Sequence, residues 1–301
     1  MDTELLKTFN EVARTRHFGR AAENLYLTQS AVSSRVRQLE SILGTELFSR
    51  QRNNIRLTAA GEKLIPLAES CLLLEQRMRQ EVALSDDTQH QISIGATPNL
   101  WDAFLQHELL RQVCEQQALA FNAVAHSSQT LIRQVLEHSL DIAFVFDAPK
   151  VDELVTQEVM TVGLHLVGAA SLRDQDWQQA MSHGYIMVDW GLSFQMQQAQ
   201  YCPTNTMAVL QTNTGRIALD CLLAKSSCAY LPLSLVQPYL DTNQLHVFDQ
   251  APVLQRTVYA SFNAQHDQPQ RLQQMIARLC PDAITAAQSL APVYDADDSS
   301  A

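Results

Sequence analysis

From Glu4 to Leu43 the apolar residues recur at helical spacing in three successive blocks, a pattern that commits the front of the chain to a small helical bundle. Leu5, Phe9 and Val12, with Leu6 and Ala13 alongside, mark a first helix to about Arg14. A second runs from Phe18 to about Leu25, where the small side chains Ala21 and Ala22 let another helix approach closely, and Asn24–Leu27 makes a tight turn. Thr28 suits the N-cap of a third helix, because its hydroxyl accepts a free N–H of the first turn. That helix buries a stripe of Val32, Val36, Leu39 and Leu43 and stops at Gly44. Glu46–Arg50 and Ile55–Leu57 then read as two short strands, joined by the polar turn Gln51–Asn54.

The outer face of the third helix carries Gln29, Ser30, Ser33, Ser34 and Arg37, flanked by Arg35. Taken alone, this is the polar face that any half-buried helix presents to water. Small and amide side chains at a helix N-terminus with arginines behind them are also what a helix entering the DNA major groove requires. The order of elements favours the second reading. Beyond the helix comes a hairpin carrying Arg50, Arg52 and Arg56, a basic wing suited to the phosphate backbone or the minor groove. Charge is distributed to match: residues 1–63 hold 10 Lys and Arg against 7 Asp and Glu, net +3, whereas the whole chain stands at −11.

These residues resemble the LysR-type regulators. The likeness is carried by Phe9 and Val12, by Phe18, Ala21, Ala22 and Leu25, and by Thr28-Gln29-Ser30-Ala31-Val32-Ser33. It continues through Arg37-Gln38-Leu39-Glu40, Leu43-Gly44, Leu47-Phe48-Ser49-Arg50 and Leu57-Thr58-Ala59-Ala60-Gly61-Glu62, dense over residues 1–65 and looser beyond. The resemblance implies Gln29, Ser30, Ser33 and Ser34 at base edges, with Thr28, Arg35, Arg37, Arg50 and Arg52 on or near phosphates. Pattern alone does not separate the two kinds of contact. Within the family the opening looks most like that of members controlling flagellar genes, which implies a repressor of such genes.

Thr58 caps a fourth helix to about Leu84, in which Leu64, Leu67, Cys71, Leu74 and Met78 repeat at 3, 4, 3 and 4. This narrow seam suits either a partner helix or the chain's own domains; a DNA module of this size favours the partner. The resemblance implies the same pairing and assembly as a dimer or tetramer. Ser85–His90 reads as a hinge.

Beyond it, strands and helices alternate in two runs, which specifies an α/β fold with parallel sheet. The expected domains are 1–58 (winged helix-turn-helix), 59–90 (linker helix and hinge), 91–280 (two α/β lobes, about 91–160 with 263–280, and 161–262) and an acidic disordered tail at 281–301. Crossovers near Val155–Gly168 and Val258–Phe262 leave a cleft of the periplasmic-binding-protein type, an architecture the resemblance also implies. Ligands in open α/β sheets lie beyond the carboxyl ends of strands. That rule selects Thr97, Pro98 and Asn99, Ser127 and Ser128, Trp190 and Gly191, and Thr212, Asn213 and Thr214 as effector contacts. Hydroxyls in such places are often only caps. The set suggests a small polar or anionic effector without a basic anchor, or an apolar one covered by Trp190.

Other classes find little support. The chain has no GxSxG, GxGxxG, P-loop or HExxH, its nine glycines leave little room for phosphate-cradling loops, and its histidines are dispersed. Six scattered cysteines lack metal spacing, so neither metal nor cofactor is expected, and a redox pair of Cys221 and Cys228 is disfavoured. The first twenty residues contain no secretory pattern, and no apolar run approaches the roughly 20 residues of a membrane span. A cytoplasmic protein is expected rather than an exported solute receptor.

Overall fold

The structure, a computed structural model, describes residues 2–51, 54–83, 90–115, 119–202 and 206–281. Most of the expected hinge and all of the expected tail after Pro281 lie outside these residues. The chain divides into two units, Met1–His90 and Gln91–Ala301.

The first unit is built from α1 (Thr3–Thr15), α2 (Phe18–Asn24), α3 (Gln29–Leu43), β1 (Phe48–Gln51), β2 (Asn54–Leu57) and α4 (Ala59–Ala83). Local chemistry sets each boundary. The Asp2 carboxylate accepts the Glu4 N–H at the start of α1, and Arg16 ends that helix in the left-handed region at φ 51°. His17 Nδ1 accepts from the Gly19 and Arg20 amides to open α2. Phe9, Val12, Ala21, Val32, Val36 and Leu39 close the core between the three helices, and the Phe48 ring joins those of Phe9 and Phe18. Leu43, expected in the buried stripe, stays 40% exposed because it is the last residue before the helix turns away at Gly44.

The second unit contains β3 (His90–Ala96), α5 (Pro98–Leu100), a π-helical turn (Trp101–Leu105), α6 (Gln106–Glu115), β4 (Leu119–Ala125), α7 (Ser128–Leu136) and β5 (Ile142–Val145). There follow β6 (Leu154–Ala169), a 3₁₀ turn (Ala170–Leu172), α8 (Trp177–Gly184), β7 (Tyr185–Val188), α9 (Leu192–Tyr201), β8 (Leu210–Thr212), α10 (Gly215–Ala224) and β9 (Cys228–Pro232). α11 (Leu233–Asp241), β10 (Leu245–Val247), β11 (Leu254–Asn263) and α12 (Pro269–Leu279) complete it. The strands form one sheet in the order β4-β3-β5-β11-β6-β9-β7-β8, with β10 on β6.

This sheet is mixed rather than parallel throughout. β3 with β5, and β7 with β8 and β9, are parallel, as the alternation of strands and helices requires. The expected crossovers are instead the long strands β6 and β11, which pair antiparallel with each other over Leu254–Asn263 and carry the sheet from one lobe into the other. α8 and α11 escape a reading by periodicity because one is eight residues long and the other is interrupted by Pro238.

Helical spacing from Leu100, Phe104 and Leu109 predicts Val113 on the inward face, yet Val113 is 50% exposed and Gln112 is buried. The π-helical turn ahead of α6 explains the shift: its extra residue rotates everything that follows by about 100° relative to an uninterrupted helix.

Candidate nucleic-acid interface and effector cleft

α3 turns two different surfaces outward. Its inner stripe packs on α1 and α2, leaving Gln29, Ser30, Ser34 and Arg37 exposed along one face and Ser33 half-buried at its edge. Thr28 lies at the head of this face, but its hydroxyl is engaged in capping, accepting the Ala31 N–H at 3.2 Å with Ser30 Oγ 3.0 Å away. Arg35 points back to α1, its Nη1 3.3 Å from Glu4 Oε2 and 3.4 Å from Thr8 Oγ1. It braces the two helices, and its charge is partly neutralised there.

The hairpin is attached by contacts invisible to spacing. Glu40, on the last turns of α3, accepts the amides of Leu47 at 2.9 Å and Phe48 at 3.4 Å, which ties the base of β1 to the recognition helix. Thr58 donates its hydroxyl proton to the Glu46 carbonyl and accepts the Gly61 N–H, so one side chain holds both the hairpin and the start of α4. Of the basic wing residues, Arg56 lies on β2; Arg50 is described by its backbone alone, and Arg52 lies outside the described residues. Tyr26, which spacing did not single out, is 96% exposed at φ 55° in the turn two residues before Thr28. An aromatic left in water at the entrance to α3 is the signal that an amphipathicity reading passes over.

On α4, Leu64, Ile65, Ala68 and Leu72 pack on the unit's own core. Of the expected seam, Leu67, Cys71, Leu74 and Met78 are exposed. The helix is thus committed on one side and apolar on another.

In the second unit the turns after the strands of both lobes meet. Asn99 is buried between them: its Nδ2 donates to the Asp189 carbonyl at 3.2 Å and its Oδ1 accepts the Gly215 N–H at 2.8 Å. Arg216 reaches Asp102 at 2.9 Å, and Ser234 Oγ donates to the Ala103 carbonyl, so the rim Thr97–Leu105 is fastened to the opposite lobe. The His126 N–H on the Ala96 carbonyl sets Ser127 and Ser128 beside Thr97. Ser127 caps α7, Thr214 caps α10, and Thr212 Oγ1 accepts the Thr214 N–H. Trp190 is buried, with its indole N–H on the Tyr230 carbonyl at 3.0 Å and its ring edge-on to Phe146. Pro98 is exposed. Thr97 Oγ1 stands apart as a buried hydroxyl with no hydrogen-bond partner.

Among the described residues no group of His, Cys, Asp and Glu side chains is placed to hold a metal ion, and no helix is long and apolar enough to cross a membrane.

Comparison with known proteins agrees with this two-unit layout. Residues 3–62 match the model of the bacterial regulatory helix-turn-helix proteins of the lysR family, and residues 85–280 match the LysR substrate binding domain. The chain is 39% identical over 284 residues to the HTH-type transcriptional regulator HdfR of Yersinia enterocolitica, covering 92% of this chain and 95% of that one. To HdfR of Escherichia fergusonii it is 41% identical over 265 residues, with 86% and 91% covered. Its fold is similar to that of full-length CbnR complexed with its target DNA, at a TM-score of 0.71 and 16% identity, over 94% of this chain and 100% of that one.

Proposed function

Since this chain belongs to the LysR family of DNA-binding transcription regulators, we propose that it reads promoter DNA with the N-terminal half of α3, as a dimer or tetramer joined along α4, under the control of a small molecule bound between the lobes of its second unit. The exposed face of Gln29, Ser30, Ser34 and Arg37 carries the reading. It offers short polar side chains for base edges ahead of an arginine for phosphate, and Glu40 holds a hairpin rigidly beside it. Tyr26 extends this face, and Arg50 and Arg52 are assigned to the backbone. Two copies set side by side present two such faces to paired half-sites. The exposed stripe of Leu67, Cys71, Leu74 and Met78 is assigned to that pairing, and the exposed Leu110 and Val113 of α6 offer further apolar surface to a dimer of dimers.

The unpaired Thr97 hydroxyl, with Ser127 and Ser128 next to it and Thr212 and Thr214 on the other lobe, supports an effector site at the strand ends. No catalytic activity is assigned, because the relatives are transcription regulators. Flagellar genes are the proposed targets, on the likeness of the opening residues to regulators that repress them.

Genome-wide crosslinking and sequencing tests this reading. Discrete peaks on a dyad motif upstream of genes, flagellar ones among them, are expected for the native chain and lost with Ser30→Ala and Arg37→Ala together. A folded native chain without discrete peaks, or a variant that keeps them, overturns the assignment of this face.

A further inference from the structure

A cavity of about 600 Å³ opens between the loop into α8, the end of α11 and strand β10 with the loop after it. β10 runs beside Val167–Ala169 of β6, and Gly168 also pairs with Cys228, the first residue of β9, itself the partner of Tyr185 at the start of β7. The cavity therefore borders the starts of these parallel strands, whereas Thr212 and Trp190 stand at or just past strand ends, and it shares no residue with the strand-end turns. Backbone bonds fix its walls. The Ala170 N–H donates to the Gln244 carbonyl at 3.0 Å and the Phe248 N–H to the Leu166 carbonyl at 2.9 Å, pinning β10 at both ends. Arg173 Nη2 donates to Asn243 Oδ1 at 3.2 Å, which joins the loop before α8 to the turn after α11.

The lining is aromatic at its base. His246 and Phe248 meet edge to face with ring centres 4.4 Å apart, and they lie close on β6 because residue 168 is glycine: a Cβ there would stand 2.6 Å from Phe248 Cε2 and 3.0 Å from His246 Cε1. The half-buried Trp177 adds a third ring. His246 is the unusual member. Both of its ring nitrogens are buried and neither has a hydrogen-bond partner, the backbone of Gly168 and Ala169 being near but outside bonding geometry. Burial, with Arg173 nearby, holds the imidazole below the usual histidine range, so at neutral pH the ring is uncharged and has one donor and one acceptor to satisfy.

That pair of needs narrows the ligand. A carboxylate or phosphate offers only acceptors, and it would meet Arg173 opposed by both Asp176 and Asp249. An ammonium offers only donors and would meet Arg173 as a like charge. A flat uncharged ring whose edge carries both a donor and an acceptor answers His246 and the amides of Gln175 and Gln250, and its faces stack on aromatic side chains. We propose that this cavity is a second ligand site, separate from the strand-end site, that binds an uncharged heteroaromatic ring of the nucleobase type, with Trp177 against its face and His246 at its edge.

Thermal unfolding of the full chain at neutral pH tests it, with adenine and cytosine as probes and with indole (a donor only), quinoline (an acceptor only) and benzoate (an anion) as controls. A saturable rise in Tm is expected with at least one of the two bases and not with the controls. His246→Phe keeps the ring packing and removes the two unpaired nitrogens, so it should unfold no lower than the native chain while its apparent affinity for the base falls at least about tenfold. Trp177→Leu, at a half-buried position, should weaken the response as well and serves alone if the Phe variant fails to fold. Thr97→Val, in the strand-end turns, should respond like the native chain. No saturable rise with either base, an equal rise with any control, or an undiminished response in His246→Phe and Trp177→Leu would each overturn the proposal. A response lost in Thr97→Val would also overturn it by moving the base to the strand-end site, so failure here and failure of the strand-end assignment are distinguishable.

Discussion

Thr28, Arg35 and Arg37 share one helix yet do different physical work, because each side chain answers to what lies within reach. Thr28 spends its hydroxyl on the helix terminus and Arg35 braces α1, whereas Arg37 meets only water. The cysteines sort by the same logic. Cys202 and Cys228 are buried; burial pushes the Cys228 thiol up to about 12, and raises that of Cys202 despite the Tyr230 hydroxyl 3.6 Å away. Thiolate is the reactive form, so Cys228 is inert and unfit to pair with Cys221 as a redox switch. Iodoacetamide at neutral to mildly alkaline pH should modify the exposed Cys114 in the folded chain at least about a hundredfold faster than Cys202 or Cys228, which should react only on unfolding. Mass spectrometry of labelled peptides checks this; prompt labelling of Cys228 would contradict the packing described.

Elements meet at junctions where a single atom decides. α4 starts against the base of the wing, and a Cβ on Gly61 would stand 2.3 Å from the Leu47 carbonyl oxygen, with Leu57 also in the way. Backbone cannot yield as a flexible side chain does. Gly61→Ala should therefore destabilise the chain by about 1–3 kcal/mol, read as a lower urea midpoint, and should weaken DNA binding by shifting the hairpin. An unchanged midpoint would mean that α4 and β1 separate freely. The spacing of apolar residues located α1, α3 and α4, and residue type located the caps at Thr28, Gly44 and Thr58, because the determinants lie within a turn or two of each boundary. The same method placed Val113 inward, because nothing local announces the π-helical turn; that turn is stabilised where its rim is fastened to the opposite lobe through Asn99, Asp102 and Ala103.

At the scale of the whole molecule, assembly is the open consequence of the structure. α4 packs Leu64, Ala68 and Leu72 inward and leaves Leu67, Cys71, Leu74 and Met78 exposed, so charge can be placed on the outer stripe without disturbing the fold. Leu74→Glu with Met78→Glu should shift the chain to a smaller species in analytical ultracentrifugation, expose Cys71 to labelling and reduce affinity for a two-half-site promoter by more than about tenfold. A variant that sediments like the native chain would remove α4 from the assembly.

Read alone, the residues determined the helical module, its caps and its outward polar face, together with the alternation of strands and helices behind it, because all of these depend on neighbours a few positions apart. Only the tertiary structure decided that β6 and β11 serve both lobes, that Asn99 and Trp190 are drawn into the interior, and that Arg256 meets Asp147 across 109 positions. Local periodicity reports which side of an element is buried, whereas the partner a buried charge finds depends on how distant segments close around it.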